Sequence, residues 1–260
     1  EQRAKKNAPS KPEIRKLCRE YAEKFIDIQA QEFKRLGIFA DWEKPYLTMS
    51  YSYEAAIVKE LGKFVENGAV YHGLKPVHWC TSCRTALAEA EVEYADHQSP
   101  TIYVKFPVKS GLNGQLGDVE PAKANFIIWT TTPWTLPANL AVCLHPQFQY
   151  SAVEVGGEVY VVAEKLLSRL ILEWDVKKHR VLGNCMGRDL EEVVCRHPFI
   201  DRDSRIVLGE HVTLEQGTGC VHTAPGHGQE DYVVGQKYNL ETYNPVDDGG
   251  LFKSEVAEFG

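Results

Sequence analysis

The chain has 260 residues, enough for one large domain or two modest ones, and its 43% hydrophobic and 25% charged content is that of an ordinary globular protein. A net charge of −7 argues against a protein that coats nucleic acid by bulk electrostatics, although residues 1–37 carry ten Lys/Arg against six Asp/Glu, a small basic surface that can dock a polyanion or be a solvated helix face. No apolar run approaches the roughly 18 residues of a membrane helix and no signal-peptide pattern opens the chain, so a cytoplasmic location without membrane contact is expected.

In chain order, Ile14, Leu17, Cys18, Tyr21, Phe25 and Ile28 recur at helical spacing and predict a helix from Pro12 to Arg35, stopped by Gly37. A second helix is expected from about Tyr53 to Asn67, with Ser50 or Ser52 as cap and Gly68 at its end. Next comes Cys80-x-x-Cys83. Seven cysteines scattered at 18, 80, 83, 143, 185, 195 and 220 do not make a disulfide scaffold, and most read as reduced core thiols. Only Cys80 and Cys83 have the spacing of half a zinc knuckle; a tetrahedral site needs four ligands, no second Cys-x-x-Cys exists in the chain, and His72, His78 or His97 could supply a ligand, although a missing second half is the simpler reading.

After "DHQSP" the character changes, which places a boundary near residue 98: a helical segment with half a zinc knuckle over 1–98, and a second domain over 99–260. "TIYVKFPV" and "ANFIIWTT" read as strands, "YSAVEV" and "VYVVAE" flank Gly156-Gly157 as a hairpin, and 163–173 reads as a short helix. Further strands are expected near 178–182, 205–208 and 219–223, then a helix at about 230–238. Many short strands with few helices predict an α+β domain built on a curled β-sheet or β-barrel flanked by helices.

Two stretches draw chemistry. Thr130-Thr131-Thr132 ends a strand that Pro133 terminates; side chains alternate along a strand, so the triplet places hydroxyls at a rigid strand tip, although plain strand propensity also favours threonine. Residues 215–232, "EQGTGCVHTAPGHGQEDY", surround a short strand bearing His222 with Gly217, Gly219, Gly226 and Gly228, and place Asp231 at a helix start. The dinucleotide fingerprint is absent, since His222 occupies its third glycine position. His222 as a satisfied core residue, His227 as a surface residue and Asp231 as a helix cap are the plainer readings. A metal at His222, His227 and Asp231 matches no defensible ligand spacing.

Taken together, "WTTTPWTLPAN", "GTGCVHTAPGHGQEDY", "KPVHWCTSCRTALAEAEVEY" and "DWEKPYLTMSYSYEAAIVKEL" resemble bacterial-type isoleucyl-tRNA synthetases over essentially the whole chain. Trp134 after Thr132-Pro133 favours the isoleucyl member over the valyl and leucyl ones, in which the motif usually continues as Arg-Pro. The resemblance implies a piece of a longer protein: both ATP-site signatures are absent, so ATP and amino-acid activation are expected only in a full-length enzyme, with zinc at Cys80 and Cys83 if a later segment completes the knuckle. It also implies an editing domain that hydrolyses Val-tRNA(Ile). Isoleucine and valine differ by one methylene, worth about 1–3 kcal/mol in a hydrophobic pocket, a general value for which isoleucyl enzymes are themselves the standard example, so a second site must remove valine.

By the same resemblance, Thr130, Thr131 and Thr132 contact the aminoacyl ester and terminal ribose, Trp134 limits side-chain size, and Asn139 supports the pocket or contacts the adenosine. Asp231 pairs with the α-ammonium, His222 positions the ribose or the attacking water, and Gly219 and Gly226 admit the tRNA end. No cofactor is expected for editing. The implied partners are the acceptor end of tRNA(Ile) carrying valine and the remainder of the synthetase. A tRNA-end binding module without turnover and a metal-dependent hydrolase are the alternatives.

Overall fold

A computed structural model describes residues 9–256; the first eight residues of the expected basic segment lie outside that range. The chain forms two compact units, one ending at Gly73 and the other beginning at Leu74.

The first unit is a helical pair. Helix α1 (Lys11–Arg35) starts where the Glu13 carboxylate accepts from both the Ser10 N–H and its hydroxyl, at 2.6 and 2.7 Å, with Pro12 in the first turn, where its missing N–H costs nothing. Helix α2 (Tyr51–Glu66) is capped by Ser50, whose hydroxyl accepts from the Tyr53 N–H, so it begins two residues ahead of the expected start. Arg19 ties the two, donating to the Met49 carbonyl and to Glu54. Yet neither helix has a buried residue: Ile14, Leu17, Tyr21 and Ile28, the stripe that spacing assigns to one face, are between 39% and 67% exposed.

The second unit opens with a small hairpin, β1 (Trp79–Cys80) and β2 (Thr85–Ala86), turned at Cys80–Cys83. Its body contains β3 (Ile102–Ser110), β4 (Ala124–Thr130), β5 (Ala141–Leu144), β6 (Gln149–Val155), β7 (Glu158–Ala163), α3 (Glu164–Glu173), β8 (Arg180–Met186), β9 (Val194–Arg196), β10 (Asp203–Leu208), β11 (Cys220–Thr223) and α4 (Gln229–Lys237). The nine strands β3 to β11 make one mixed sheet in the order β11-β5-β10-β9-β3-β4-β7-β6-β8, with β4–β7 and β5–β10 parallel and the other neighbours antiparallel. Gly156 and Gly157, both at positive φ, make the tight β6–β7 turn. Phe106, Phe126, Ile128, Leu144, Tyr150 and Leu170 fill the core with no exposure above 2%.

The sheet curls but is not a closed barrel, which corrects one of the two expected forms. Its edges, β11 and β8, do not pair with each other. Instead the segment entering β11 folds back onto the end of β7. Ala163 N–H donates to the Thr218 carbonyl at 2.8 Å, and the Tyr150 hydroxyl donates to the Gly219 carbonyl at 2.7 Å. A Cβ at Gly219 would lie 2.3 Å from that of Ala163, and Gly219 sits at φ +78°; only glycine allows this approach. The fold-back lays the Gly-rich loop beside the tip of β4, and the candidate site lies there.

Candidate active site

A cleft of about 350 Å³ is lined by Thr130, Thr131 and Thr132 on one side and by Gly217 to His222 on the other, with Trp129, His211, Thr213, Gln216 and Asp231 completing it. The strand ladder of β4 ends at Thr130, as Pro133 requires. Thr130 is buried, and its oxygen accepts from the Thr132 N–H at 3.0 Å and lies 3.3 Å from the Thr132 hydroxyl. Thr131, between them, is exposed.

Beyond the triplet the chain makes a 3-10 turn, Pro133–Ala138, which the sequence reading did not anticipate. Thr135 on that turn joins the triplet to β11: its hydroxyl donates to the Thr132 carbonyl at 2.8 Å, and its oxygen is 2.8 Å from His222 Nε2. Asn139 Nδ2 donates to the Ala141 carbonyl at 2.8 Å and faces His222 Nδ1 at 3.5 Å, while Asn139 Oδ1 accepts from Ser204. A carbonyl can only accept, which fixes the amide orientation and assigns the histidine proton to Nε2. His222 is therefore held at both nitrogens. Burial, reinforced by His227 and His197, pulls its pKa down to about 4, so the ring is neutral at pH 7.

Asp231 stands in the first turn of α4. Its Oδ2 accepts from the Ala224 N–H at 3.0 Å, and its other oxygen has no partner among the described residues. Burial raises its pKa, against the Ala224 hydrogen bond and His211, which lower it. A half-desolvated carboxylate with one unused oxygen in a polar cleft is suited to a cationic ligand.

A scan of family models matches residues 1–224 to the class I tRNA synthetases of the I, L, M and V type. The chain belongs to this family. Among curated relatives, isoleucine–tRNA ligases of Syntrophotalea carbinolica and Geobacter sulfurreducens are 56% and 54% identical over 98% and 99% of this chain. The chain spans 28% of the length of each. Among solved structures, the P. knowlesi cytosolic leucyl-tRNA synthetase editing domain matches with a TM-score of 0.43 and 16% identity over 60% of this chain and 69% of that one, a likeness on which nothing further rests.

In this class I synthetase chain the cleft brings together Thr130, Thr131, Thr132, Gly217, Gly219, His222 and Asp231, seven residues that the sequence singles out. Three others stand apart. Trp134 is 49% exposed on the 3-10 turn and is not among the residues that line the cleft. Asn139 is fully buried behind His222, so it supports the site rather than meeting a ligand. Gly226 packs where a Cβ would lie 2.2 Å from the Tyr243 carbonyl, a requirement of the loop and not of the cleft. His227 is exposed and also outside the cleft lining.

Sequence reasoning missed His211, Thr213 and Gln216 in the wall, and Thr135 and Ser204 behind it. Thr135, five residues after Thr130 in the same Thr-rich stretch, was the one with a visible signal.

The implied zinc fits only in part. Cys80 Sγ accepts from the Cys83 N–H at 3.3 Å in the β1–β2 turn, and the backbone and thiol donors from Cys83 lower its pKa. Among the described residues, however, no three His, Cys, Asp or Glu side chains converge on a metal position, so these thiols lack the further ligands a tetrahedral ion needs.

Proposed function

We propose that this chain is the proofreading part of an isoleucine-specific class I synthetase, hydrolysing valine from tRNA(Ile). The observation that carries the reading is the juxtaposition, across one polar cleft, of the Thr130–Thr132 strand tip and the unused oxygen of Asp231. The identity of the curated isoleucine–tRNA ligases supports the choice of tRNA.

The chemistry asks little of a general base, because an aminoacyl ester is already activated and correct placement of a water suffices. Asp231 binds the α-ammonium and so anchors the aminoacyl group by its one fixed charge. The threonine hydroxyls, which both donate and accept, contact the ester, the terminal ribose and the attacking water. His222 is a positioning residue: with both nitrogens engaged and its charged form disfavoured, it holds Thr135 and, through it, the Thr132 carbonyl. Exclusion of isoleucine falls to the walls of the small cleft, where Trp129 is the large side chain present. The hydrolysis needs water and the charged tRNA end but no cofactor; ATP is required only for activation, assigned here to the rest of a longer synthetase.

The test is the rate at which the chain deacylates Val-tRNA(Ile) against Ile-tRNA(Ile). Selective loss of valine is expected, and Asp231→Ala should lower that rate about 10- to 100-fold, as for a lost hydrogen bond to a charged group. A variant that unfolds would make Asp231 a helix cap. A folded wild-type chain that binds charged tRNA without hydrolysis would reduce the reading to an acceptor-end binding module.

A further inference from the structure

His211 lies outside every motif that points to the cleft, yet it forms part of the wall. It follows β10 by a short turn in which the Gly209 N–H donates to the Leu144 carbonyl at 3.0 Å. A Cβ on Gly209 would lie 2.7 Å from Cys143 Sγ and 2.7 Å from both Nδ1 and Cε1 of His211. The imidazole is thus laid with its Nδ1–Cε1 edge on a bare stretch of backbone, and Val212, 2% exposed, anchors the residue after it in a second apolar cluster. The remaining nitrogen, Nε2, is buried and has no hydrogen-bond partner among the described residues. Buried polar atoms are almost always satisfied, so a lone one in a cleft wall marks a place where a ligand or an ordered water completes the bonding.

Which ligand group suits it follows from its neighbour. His211 and Asp231 line the same cleft. In the tautomer that carries its proton on Nδ1, the imidazole offers at Nε2 a lone pair and no donor. Asp231 offers one oxygen in the same region, its other being used by Ala224. A primary ammonium carries three N–H donors and no acceptor, and is the one part of an aminoacyl ester that calls for two converging acceptors. We infer that His211 is a further ligand for the α-ammonium group of the aminoacyl substrate, accepting at Nε2 beside Asp231. The inference rests on the proofreading reading above.

The test uses binding, so that it does not depend on turnover. The probes are 3′-valylamino-3′-deoxyadenosine, a stable amide analogue of the charged tRNA terminus, and the same compound with its α-amine acetylated and therefore uncharged. Titration calorimetry on the whole chain is expected to show that His211→Phe, which keeps the ring and removes both nitrogens, weakens the free-amine probe about tenfold, the scale of one hydrogen bond to a charged group. His211→Gln, which restores an acceptor, should recover most of that loss. Neither variant should change the affinity for the acetylated probe, whereas Asp231→Asn should weaken the free-amine probe at least as much as His211→Phe. If Asp231→Asn behaves so but His211→Phe binds like the wild type, or weakens both probes alike, the inference falls and the proofreading reading stands. If the wild type binds neither probe, or Asp231→Asn changes nothing, the reading fails and takes the inference with it.

Discussion

The helical pair and the sheet unit read alike on paper and fold by different means. Both show apolar residues at the period of their secondary structure, but in α1 and α2 no residue is buried, whereas the sheet unit closes over a core that includes Phe106, Phe126, Ile128 and Leu144 at 0% exposure. Periodicity reports that a face is meant to be covered; it does not report by what. The sheet covers its own face by curling, with α3 placing Leu166 and Leu170 against it. Among the described residues, Arg19 links α1 to Glu54 of α2 and to the Met49 carbonyl just before it.

The most severe way to break this comparison is to separate the parts. Residues 74–256 alone should unfold cooperatively by circular dichroism in urea, and residues 9–73 alone should give a shallow transition without a defined midpoint; a sharp transition in the helical piece would abolish the distinction. Within the intact chain, Phe126→Ala should cost about 3–5 kcal/mol in urea unfolding, as for a large cavity in a packed core. Phe64→Ala, at 59% exposure on α2, should cost less than about 1 kcal/mol.

Two smaller effects sharpen the picture inside the sheet unit. His222 has a pKa below that of an unfolded histidine, so its contribution is present above pH 6.5 and is lost as pH falls through about 4. It amounts to roughly 3 kcal/mol. His197 is shifted in the same direction by burial, so His222→Gln should flatten part, not all, of the decline in stability across that window. Asp231 is the opposite case. Its folded pKa is raised, so its favourable contribution exists below the ordinary 3.8 and is lost as pH rises through the folded value, leaving the ionised carboxylate a net cost at pH 7. Asp231→Asn should therefore raise Tm at neutral pH, and the gain should vanish in acid. An unchanged or lower Tm would show that the carboxylate is not strained by its burial.

Much of the sheet unit was legible because its strands carry local signals. β3, β4, β6 and β7 alternate or are bounded by glycine and proline, and the β6–β7 turn is written in two adjacent glycines. β5 and β9 were not seen. They are four and three residues long, and β5 is buried at every position, so it shows no alternation. The parallel pairings β4–β7 and β5–β10, and the fold-back that leaves the barrel open, depend on contacts distant in sequence. The same split holds in the site. The threonine tip, His222 and Asp231 announce themselves by glycine, proline and a run of hydroxyls. His211 and Ser204 sit in unremarkable sequence and acquire meaning only through burial and direction. Trp134 shows the converse, a conspicuous residue that stands exposed on the 3-10 turn and outside the cleft lining.

The bonds behind the cleft all point one way. Ser204 donates to Asn139, Asn139 to His222, His222 to Thr135, and Thr135 to the Thr132 carbonyl. Such a row has a sense of travel, and each member polarises the next. A proton added to His222 would meet the Asn139 amide head-on, donor against donor; turning that amide would set its oxygen against the Ala141 carbonyl. Charging the ring would thus require Asn139 to turn and the Ser204 hydroxyl to rotate with it, while the links to Thr135 and the Thr132 carbonyl keep their sense, so the row is a latch on the neutral form of His222.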